Sequence, residues 1–163
     1  MRNKQKKKLI LLAFELLVLT VLIGVFVIYQ ITFGKMDLQD KLDEDKAGIN
    51  MDIDADTILA QEGYTNIALF GLDNRSEGKY DSGNADTIMI ASINNETKEV
   101  KLVSVYRDTF LSIGNGKCRK ANASYANGGV TQAVAMLNSN LDLTITEYVC
   151  VDWSAVIKAI DAL

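Results

Sequence analysis

Asp86-Thr87-Ile88-Met89-Ile90-Ala91-Ser92-Ile93-Asn94, then Asn95-Glu96-Thr97-Lys98, then Glu99-Val100-Lys101-Leu102-Val103-Ser104-Val105-Tyr106, is the stretch that decides the fold. Two strand-like runs flank four turn-forming residues, the pattern of a β-hairpin. In the second run Val100, Leu102, Ser104 and Tyr106 alternate with Lys101, Val103 and Val105, the period of two expected of a strand. Working outward, residues 65–71 form another short apolar run, consistent with a buried strand. Residues 72–85 hold glycine, serine, asparagine and charge and read as a loop, and 107–127 read as mostly loop. Gly128-Gly129 precedes a helical pattern with Val130, Val134, Leu137 and Leu141 on one face. Residues 144–151 read as a further strand and 153–163 as a second amphipathic helix. Mixed strands and helices predict an α/β domain, a layered mixed sheet with flanking helices.

Three clusters sit at the ends of those strands: Gly71-Leu72-Asp73-Asn74-Arg75, Asn84-Ala85-Asp86-Thr87 and Ser104-Val105-Tyr106-Arg107-Asp108-Thr109. A hairpin over 86–106 makes Asp86 and Arg107 neighbours, and Asp73 and Arg75 reach the same edge if the preceding strand packs alongside. Carboxylates beside guanidinium groups can hold a divalent metal and a phosphate together. Mg²⁺ takes a few carboxylate oxygens and completes its shell with phosphate and water, and arginine matches phosphate with a planar fork of donors. The alternative for each cluster taken singly is a surface salt bridge at a strand end.

The N-terminus carries Arg2, Lys4, Lys6, Lys7 and Lys8 with no acid among them, followed by a run from Leu9 to Tyr29 broken only by Glu15, Thr20 and Gly24. Twenty-one helical residues rise about 31 Å, enough for a hydrocarbon core of about 30 Å. The run is longer than the apolar region of a cleaved signal peptide. A cytoplasmic basic segment (1–8), a transmembrane signal-anchor helix (9–33), an acidic extracytoplasmic stalk (34–64) and a folded domain (65–163) follow from this reading and the positive-inside rule. Glu15 lies near the cytoplasmic end, within reach of water or a lysine. In the stalk, Asp52, Asp54 and Asp56 resemble the start of a calcium loop, but Thr57 stands at the sixth position and Gly63 at the twelfth, where glycine and glutamate are required.

The chain has 17 basic and 21 acidic residues, and the first eight positions hold five of the basic ones, leaving 12 against 21. That balance excludes nucleic acid as the expected partner. With no histidine in the chain, every histidine-based triad and the commonest zinc ligand are excluded. Cys118 and Cys150 lack metal-site spacing. An extracytoplasmic pair can form a disulfide or remain two thiols, and the sequence leaves both open.

Asn66-Ile67-Ala68-Leu69-Phe70-Gly71-Leu72-Asp73-Asn74-Arg75, the Asn-Ala-Asp-Thr stretch at 84–87, Tyr106-Arg107-Asp108-Thr109, Lys120-Ala121-Asn122-Ala123-Ser124-Tyr125-Ala126-Asn127-Gly128-Gly129 and Glu147-Tyr148-Val149-Cys150-Val151-Asp152-Trp153 together resemble the LytR–CpsA–Psr family, whose domain also carries the label of cell envelope-related transcriptional attenuator. The similarity runs from about Asn66 to Leu163. It implies a membrane-anchored, Mg²⁺-dependent phosphotransferase that moves an anionic wall polymer such as teichoic acid, or a capsular polymer, from a polyprenyl-pyrophosphate carrier to peptidoglycan. By matching position, the resemblance assigns the metal to Asp73 and Asp86 and the pyrophosphate to Arg75 and Arg107. Asp108 would orient the arginine, and Lys120 matches a basic position near the head group. It also implies two alternatives, a regulatory isoprenoid-phosphate-binding protein and a polyprenyl pyrophosphatase. Residues 88–90 and the helix over 130–141 are candidates to line a lipid pocket, or are ordinary core. The chain departs from the family pattern at Asn84, where many members have arginine, and at Tyr106, where many have proline. Family members usually continue beyond Ile160-Asp161-Ala162-Leu163 into a Gly-Gly turn and further elements, so the resemblance implies a domain incomplete at its C-terminus.

Overall fold

The computed structural model describes residues 2–33, 41–50, 52–73, 80, 83–114 and 116–163. The chain divides into two units, residues 1–40 and 41–163. The first contains helix α1 (Arg2–Phe33). Its segment Leu11–Gln30 has a mean hydropathy of 2.9 and none of it is buried. A helix apolar on every side has no core-facing stripe and fits an apolar surrounding. It is long and apolar enough to cross a membrane. Thr20, one of its polar interruptions, donates its hydroxyl to the Leu17 carbonyl at 2.8 Å, which satisfies that donor inside the helix.

The second unit begins at Lys41, well before residue 65. The described residues of 41–64, expected as part of a solvated stalk, are tied to the domain at several points instead. Leu42 donates its backbone N–H to Thr146, and Ala47 is fully buried. Helix α2 (Ala55–Gln61) follows, with Asp54 as its N-cap accepting from the Thr57 N–H and hydroxyl at 2.9 and 2.7 Å. The acidic Asp-x-Asp-x-Asp run thus includes a helix cap. At the other end of α2, Gln61 reaches the backbone of Asp142 and Thr144. Short polar side chains tie this segment down where its apolar content is too thin to announce a core. Residues 34–40 of the expected stalk lie outside the described residues.

Strands β1 (Tyr64–Leu72), β2 (Ala85–Asn94) and β3 (Val100–Ser104) follow. The predicted hairpin is present: β2 and β3 are antiparallel, with Ile93 opposite Val100 and Met89 opposite Ser104. A small separate hairpin comes next, β4 (Phe110–Ser112) and β5 (Cys118–Lys120), in the region expected to be mostly loop. Its strands are three residues each, too short for periodicity to reveal them. Helix α3 (Asn122–Leu141), strand β6 (Glu147–Asp152) and helix α4 (Trp153–Asp161) complete the unit. The main sheet has the order β3-β2-β1-β6, with β6 parallel to β1 and the other pairs antiparallel.

Helix α3 starts six residues before Gly128-Gly129 and bends there. Gly129 has φ +65° and ψ −157°, a conformation essentially reserved for glycine. The helix covers one face of the sheet. Ala68, Phe70, Leu72, Ile88 and Ile90 meet Tyr125, Val134, Met136 and Leu137 in one buried cluster. Phe70 and Tyr125 pack edge to face, centroids 5.6 Å apart, a pairing worth about 0.5–1.5 kcal/mol beyond its buried area. On the opposite face, Leu69, Thr87, Met89, Val149 and Val151 are half-buried or exposed among the described residues.

Asn138, fully buried in α3, holds three parts of the unit together. Its amide donates to the Ala47 carbonyl at 2.8 Å and to the Ile145 carbonyl at 2.9 Å, and its side-chain oxygen accepts from the Ile145 N–H at 2.9 Å. Leucine there would leave three buried backbone groups unpaired. We predict that Asn138→Leu lowers stability by about 3 kcal/mol, read as a fall in the urea midpoint by far-UV circular dichroism. An unchanged midpoint would show that the three Asn138 hydrogen bonds contribute nothing net to stability.

Candidate functional site

Hydrogen bonding along the β2–β3 ladder carries the start of β2 and the segment after β3 to one place. The Val105 N–H donates to Ile88 at 2.9 Å, one residue beyond β3. Two further residues on each strand bring Arg107 level with Asp86, and the Arg107 Nη1 to Asp86 Oδ2 distance is 2.7 Å. Arg107 Nε also stands 3.7 Å from Asp108 Oδ2, while Lys120 Nζ donates to Asp108 Oδ1 at 2.7 Å. The result is a row of alternating charges, Asp86, Arg107, Asp108, Lys120. The backbone fixes this row: Thr109 closes a turn on the Tyr106 carbonyl, and Asn122 at the start of α3 donates to the Arg107 carbonyl at 3.0 Å. Lys120, by hydrogen bond and by charge, holds the Asp108 carboxyl below its ordinary range, with Arg107 adding to the effect.

Beside Asp86, on the face of the sheet opposite α3, lies an apolar groove of about 470 Å³. The register explains it. Met89, Leu69 and Val149 form one cross-strand row, and Thr87, Gly71 and Val151 form the next. The middle of the second row has no side chain, which leaves a notch. A Cβ on Gly71 would stand 2.9 Å from the Thr87 Cβ, so the notch cannot be filled without a shift. The β1–β2 register also slips between Gly71 and Leu72, the bend that a strand glycine commonly marks. Just past it the Asp73 N–H donates to the Asn84 carbonyl, and the Trp153 indole N–H donates to Asp73 Oδ1 at 3.3 Å. Asp73 and Asp86 both line the groove.

The structure thus brings Asp86, Arg107, Asp108 and, from β5, Lys120 into one row of contacts, and sets Asp73 on the groove wall with Asp86. Arg75 lies outside the described residues. The candidates for a lipid-facing wall fall differently. Ile88 and Ile90 point into the core under α3, as do Val134 and Leu137; the groove is on the other face and uses Met89. Alternation along the strand separates the two sets. Val149, Val151, Asp152 and Trp153 belong to the stretch that carries the family resemblance, but the sequence assigned them no part in the site. The alternation on β6 held the signal for the two valines.

Asp152 is 2% exposed and caps α4, accepting from the Ser154 hydroxyl at 2.7 Å and the Ala155 N–H at 2.9 Å. Burial works to raise its pKa, and these bonds outweigh it and leave the carboxyl below its ordinary value. Burial and the Asp152 charge together push the Tyr80 hydroxyl up. Cys118 is exposed and Cys150 is half-buried, and the two are unpaired. Burial raises the Cys150 thiol, partly offset by the Tyr125 hydroxyl 3.3 Å from its sulfur.

The sequence of residues 25–163 matches the LytR_cpsA_psr family model. The chain belongs to that family. Among LytR_cpsA_psr relatives, the polyisoprenyl-teichoic acid–peptidoglycan teichoic acid transferase TagU of Enterococcus faecalis is 33% identical over 98 residues, 60% of this chain and 32% of the relative. TagU of Halalkalibacterium halodurans is 29% identical over 162 residues, 97% of this chain and 52% of the relative. The chain thus spans between about a third and about half of these relatives. Among solved structures, the LytR-CPS2A-psr family protein YwtF (TagT) with bound octaprenyl pyrophosphate lipid has a TM-score of 0.58 at 18% identity, covering 76% of this chain and 47% of that one. TagU of Bacillus subtilis has a TM-score of 0.51 at 28% identity, covering 63% and 40%. The layered α/β fold is therefore that of the family.

The Lys120–Asp108 contact makes a prediction about titration. Removing the ammonium removes the main force favouring the charged carboxylate, so in Lys120→Met the Asp108 carboxyl should titrate at higher pH than in the parent. Carboxyl-carbon NMR across the acid range reads this directly. An unmoved Asp108 titration would show that the ion pair is not formed in solution.

Proposed function

We propose that this chain is a membrane-anchored phosphotransferase that moves an anionic wall or capsular glycopolymer from a polyprenyl-pyrophosphate carrier to peptidoglycan. The observation that carries the reading is the apolar groove with Asp73 and Asp86 on its wall and Arg107 in contact with Asp86. An isoprenoid tail fits an apolar groove, and a pyrophosphate fits the guanidinium at its end. The names of the TagU relatives and the octaprenyl pyrophosphate bound to YwtF support the same class of substrate.

The donor set suits Mg²⁺. Among the described residues no group of three or more acidic or cysteine side chains stands together to hold a metal unaided, and Mg²⁺ is usually bound through one or two carboxylates plus substrate phosphates. Asp73 and Asp86 would hold it. When bound, it supplies positive charge to the pyrophosphate oxygens and to the departing phosphate. Arg107 binds the remaining negative charge, with Arg75 assigned the same work. A peptidoglycan hydroxyl oxygen forms a new bond to the phosphorus that carries the polymer. The bond from that phosphorus to the bridging oxygen breaks, and polyprenyl phosphate leaves with the electron pair. The hydroxyl proton passes to a base or to water. Asp108 suits this proton poorly, because Lys120 lowers its affinity for protons; its place beside Arg107 suits orientation of the guanidinium.

In the ligand-free protein Arg107 and Asp86 neutralise each other. Pyrophosphate must draw Arg107 away, which leaves the Asp86 charge free for a cation. Metal and pyrophosphate should therefore bind with positive coupling. With the full chain in lipid nanodiscs, we predict that Mg²⁺ strengthens binding of geranylgeranyl pyrophosphate and that Asp86→Asn abolishes this dependence. Arg107→Lys keeps the charge and loses the planar fork, and should weaken binding roughly ten- to hundredfold. A surface ion pair is worth about 0–1 kcal/mol and tolerates lysine, so parent-like affinity in Arg107→Lys would reduce the arginine to a strand-end salt bridge.

The basic segment from Arg2 to Lys8 would remain in the cytoplasm, with residues 34–163 outside. An impermeant maleimide applied to intact cells should then label the exposed Cys118, and the half-buried Cys150 only after unfolding. Labelling of Cys118 only after lysis would reverse this orientation.

A further inference from the structure

The β4–β5 hairpin presents features that the groove lacks. Tyr106 is 84% exposed and Phe110 71% exposed, the two highest values among the described aromatic residues. Both rings stand on fixed backbone. Tyr106 opens the turn closed by the Thr109 N–H at 2.9 Å, and Phe110 is paired with Lys120 across the hairpin. Two such rings four residues apart, beside a cluster of cations, make this edge a candidate contact surface.

The charge around them is opposite to that of the domain. Residues 106–120 contain Arg107, Lys117, Arg119 and Lys120 against the single acid Asp108, in a chain of net charge −4. Arg107 and Lys120 are occupied by Asp86 and Asp108. Lys117 and Arg119 are exposed and make no ion pair among the described residues.

Position then selects the ligand. The groove reaches Asp86, and none of its lining comes from residues 106–120. Arg107 spans from Asp86 to the hairpin. A molecule whose tail fills the groove and whose phosphates meet Arg107 has its other end directed to the hairpin. The C–H faces of sugar rings carry partial positive charge and suit the negative face of an aromatic ring, and guanidinium and ammonium groups suit phosphates along a chain. We propose that Tyr106, Phe110, Lys117 and Arg119 form a docking surface for the phosphate-bearing saccharide chain joined to the far side of the pyrophosphate. This rests on the transferase reading above.

The test uses the full chain in nanodiscs and two probes. One is a soluble, lipid-free oligomer of glycerol phosphate bearing N-acetylglucosamine; the other is geranylgeranyl pyrophosphate. The parent should bind both. The Tyr106→Ala, Phe110→Ala double variant should bind the oligomer about tenfold more weakly, and Tyr106→Trp should retain it. Arg119→Glu should weaken it by about tenfold and flatten its salt dependence. All three variants should bind geranylgeranyl pyrophosphate like the parent. Parent-like oligomer binding in the double variant and in Arg119→Glu overturns the proposal, as does a parent that ignores the oligomer. A parent that binds the oligomer and ignores geranylgeranyl pyrophosphate overturns the transferase reading and leaves the surface standing. A fluorophore on Cys118 that is quenched by doxyl-labelled lipid and unaffected by the oligomer would place the hairpin on the bilayer and also overturn the proposal.

Discussion

The register of β1 with its two neighbours fixes the site. Gly71 stands opposite Thr87 on one side and Val151 on the other, and Leu72 stands opposite Ala85 and Asp152. One glycine in that row leaves the notch, and the slip that follows it turns the chain into Asp73. A shift of β2 by a single residue would move Met89 into the core and Ile88 into the groove. The core face forbids this, because Phe70, Ile88 and Ile90 are all buried against α3. Packing on one face of the sheet therefore sets the position of the polar groups at its end.

The hairpin and the meeting of Asp86 with Arg107 were legible because two long, strand-like runs bracket a short turn. Once that pairing is drawn, ladder geometry brings the ion pair together without further information. The family resemblance and the α/β class were legible for the same reason, since the motifs sit on elements with clear periodicity. The groove was not. Its apolar wall comes from alternate residues of three strands, and no linear stretch displays the row Met89, Leu69, Val149. Gly128-Gly129 reads as a helix boundary, and both residues are indeed non-helical; the expected helix follows them, and only the short helical stretch from Asn122 before the kink went unread, too brief for a periodicity. The docking of residues 41–61 rests on buried Ala47 and on single side chains such as Asn138 and Gln61. Such contacts join positions many tens of residues apart and leave no local pattern.

The alternating row Asp86, Arg107, Asp108, Lys120 bears on how the domain tolerates its own charge. The chain is acidic overall, and a cluster of carboxylates at one sheet end would repel itself. Interleaved cations remove that cost locally. They also leave each charge with a partner, so on the proposed reading a pyrophosphate binds by exchanging partners and not by meeting a bare charge.

The strands that carry the two halves of the central ion pair differ in how firmly they are held. Asp86 belongs to β2, which is bonded on both edges and has four buried residues. Arg107 follows β3, an edge strand whose five residues are all exposed. Backbone amides on β3 should open and exchange with solvent at a fraction of the free energy required on β1 or β2. The acid is thus set on an interior strand of the sheet and the arginine on a bonded turn just past the exposed edge strand. On the proposed reading, when a ligand parts the pair it is the long Arg107 side chain that swings, on a backbone held by Thr109 and Asn122, so side-chain reach sets how far the charge can go.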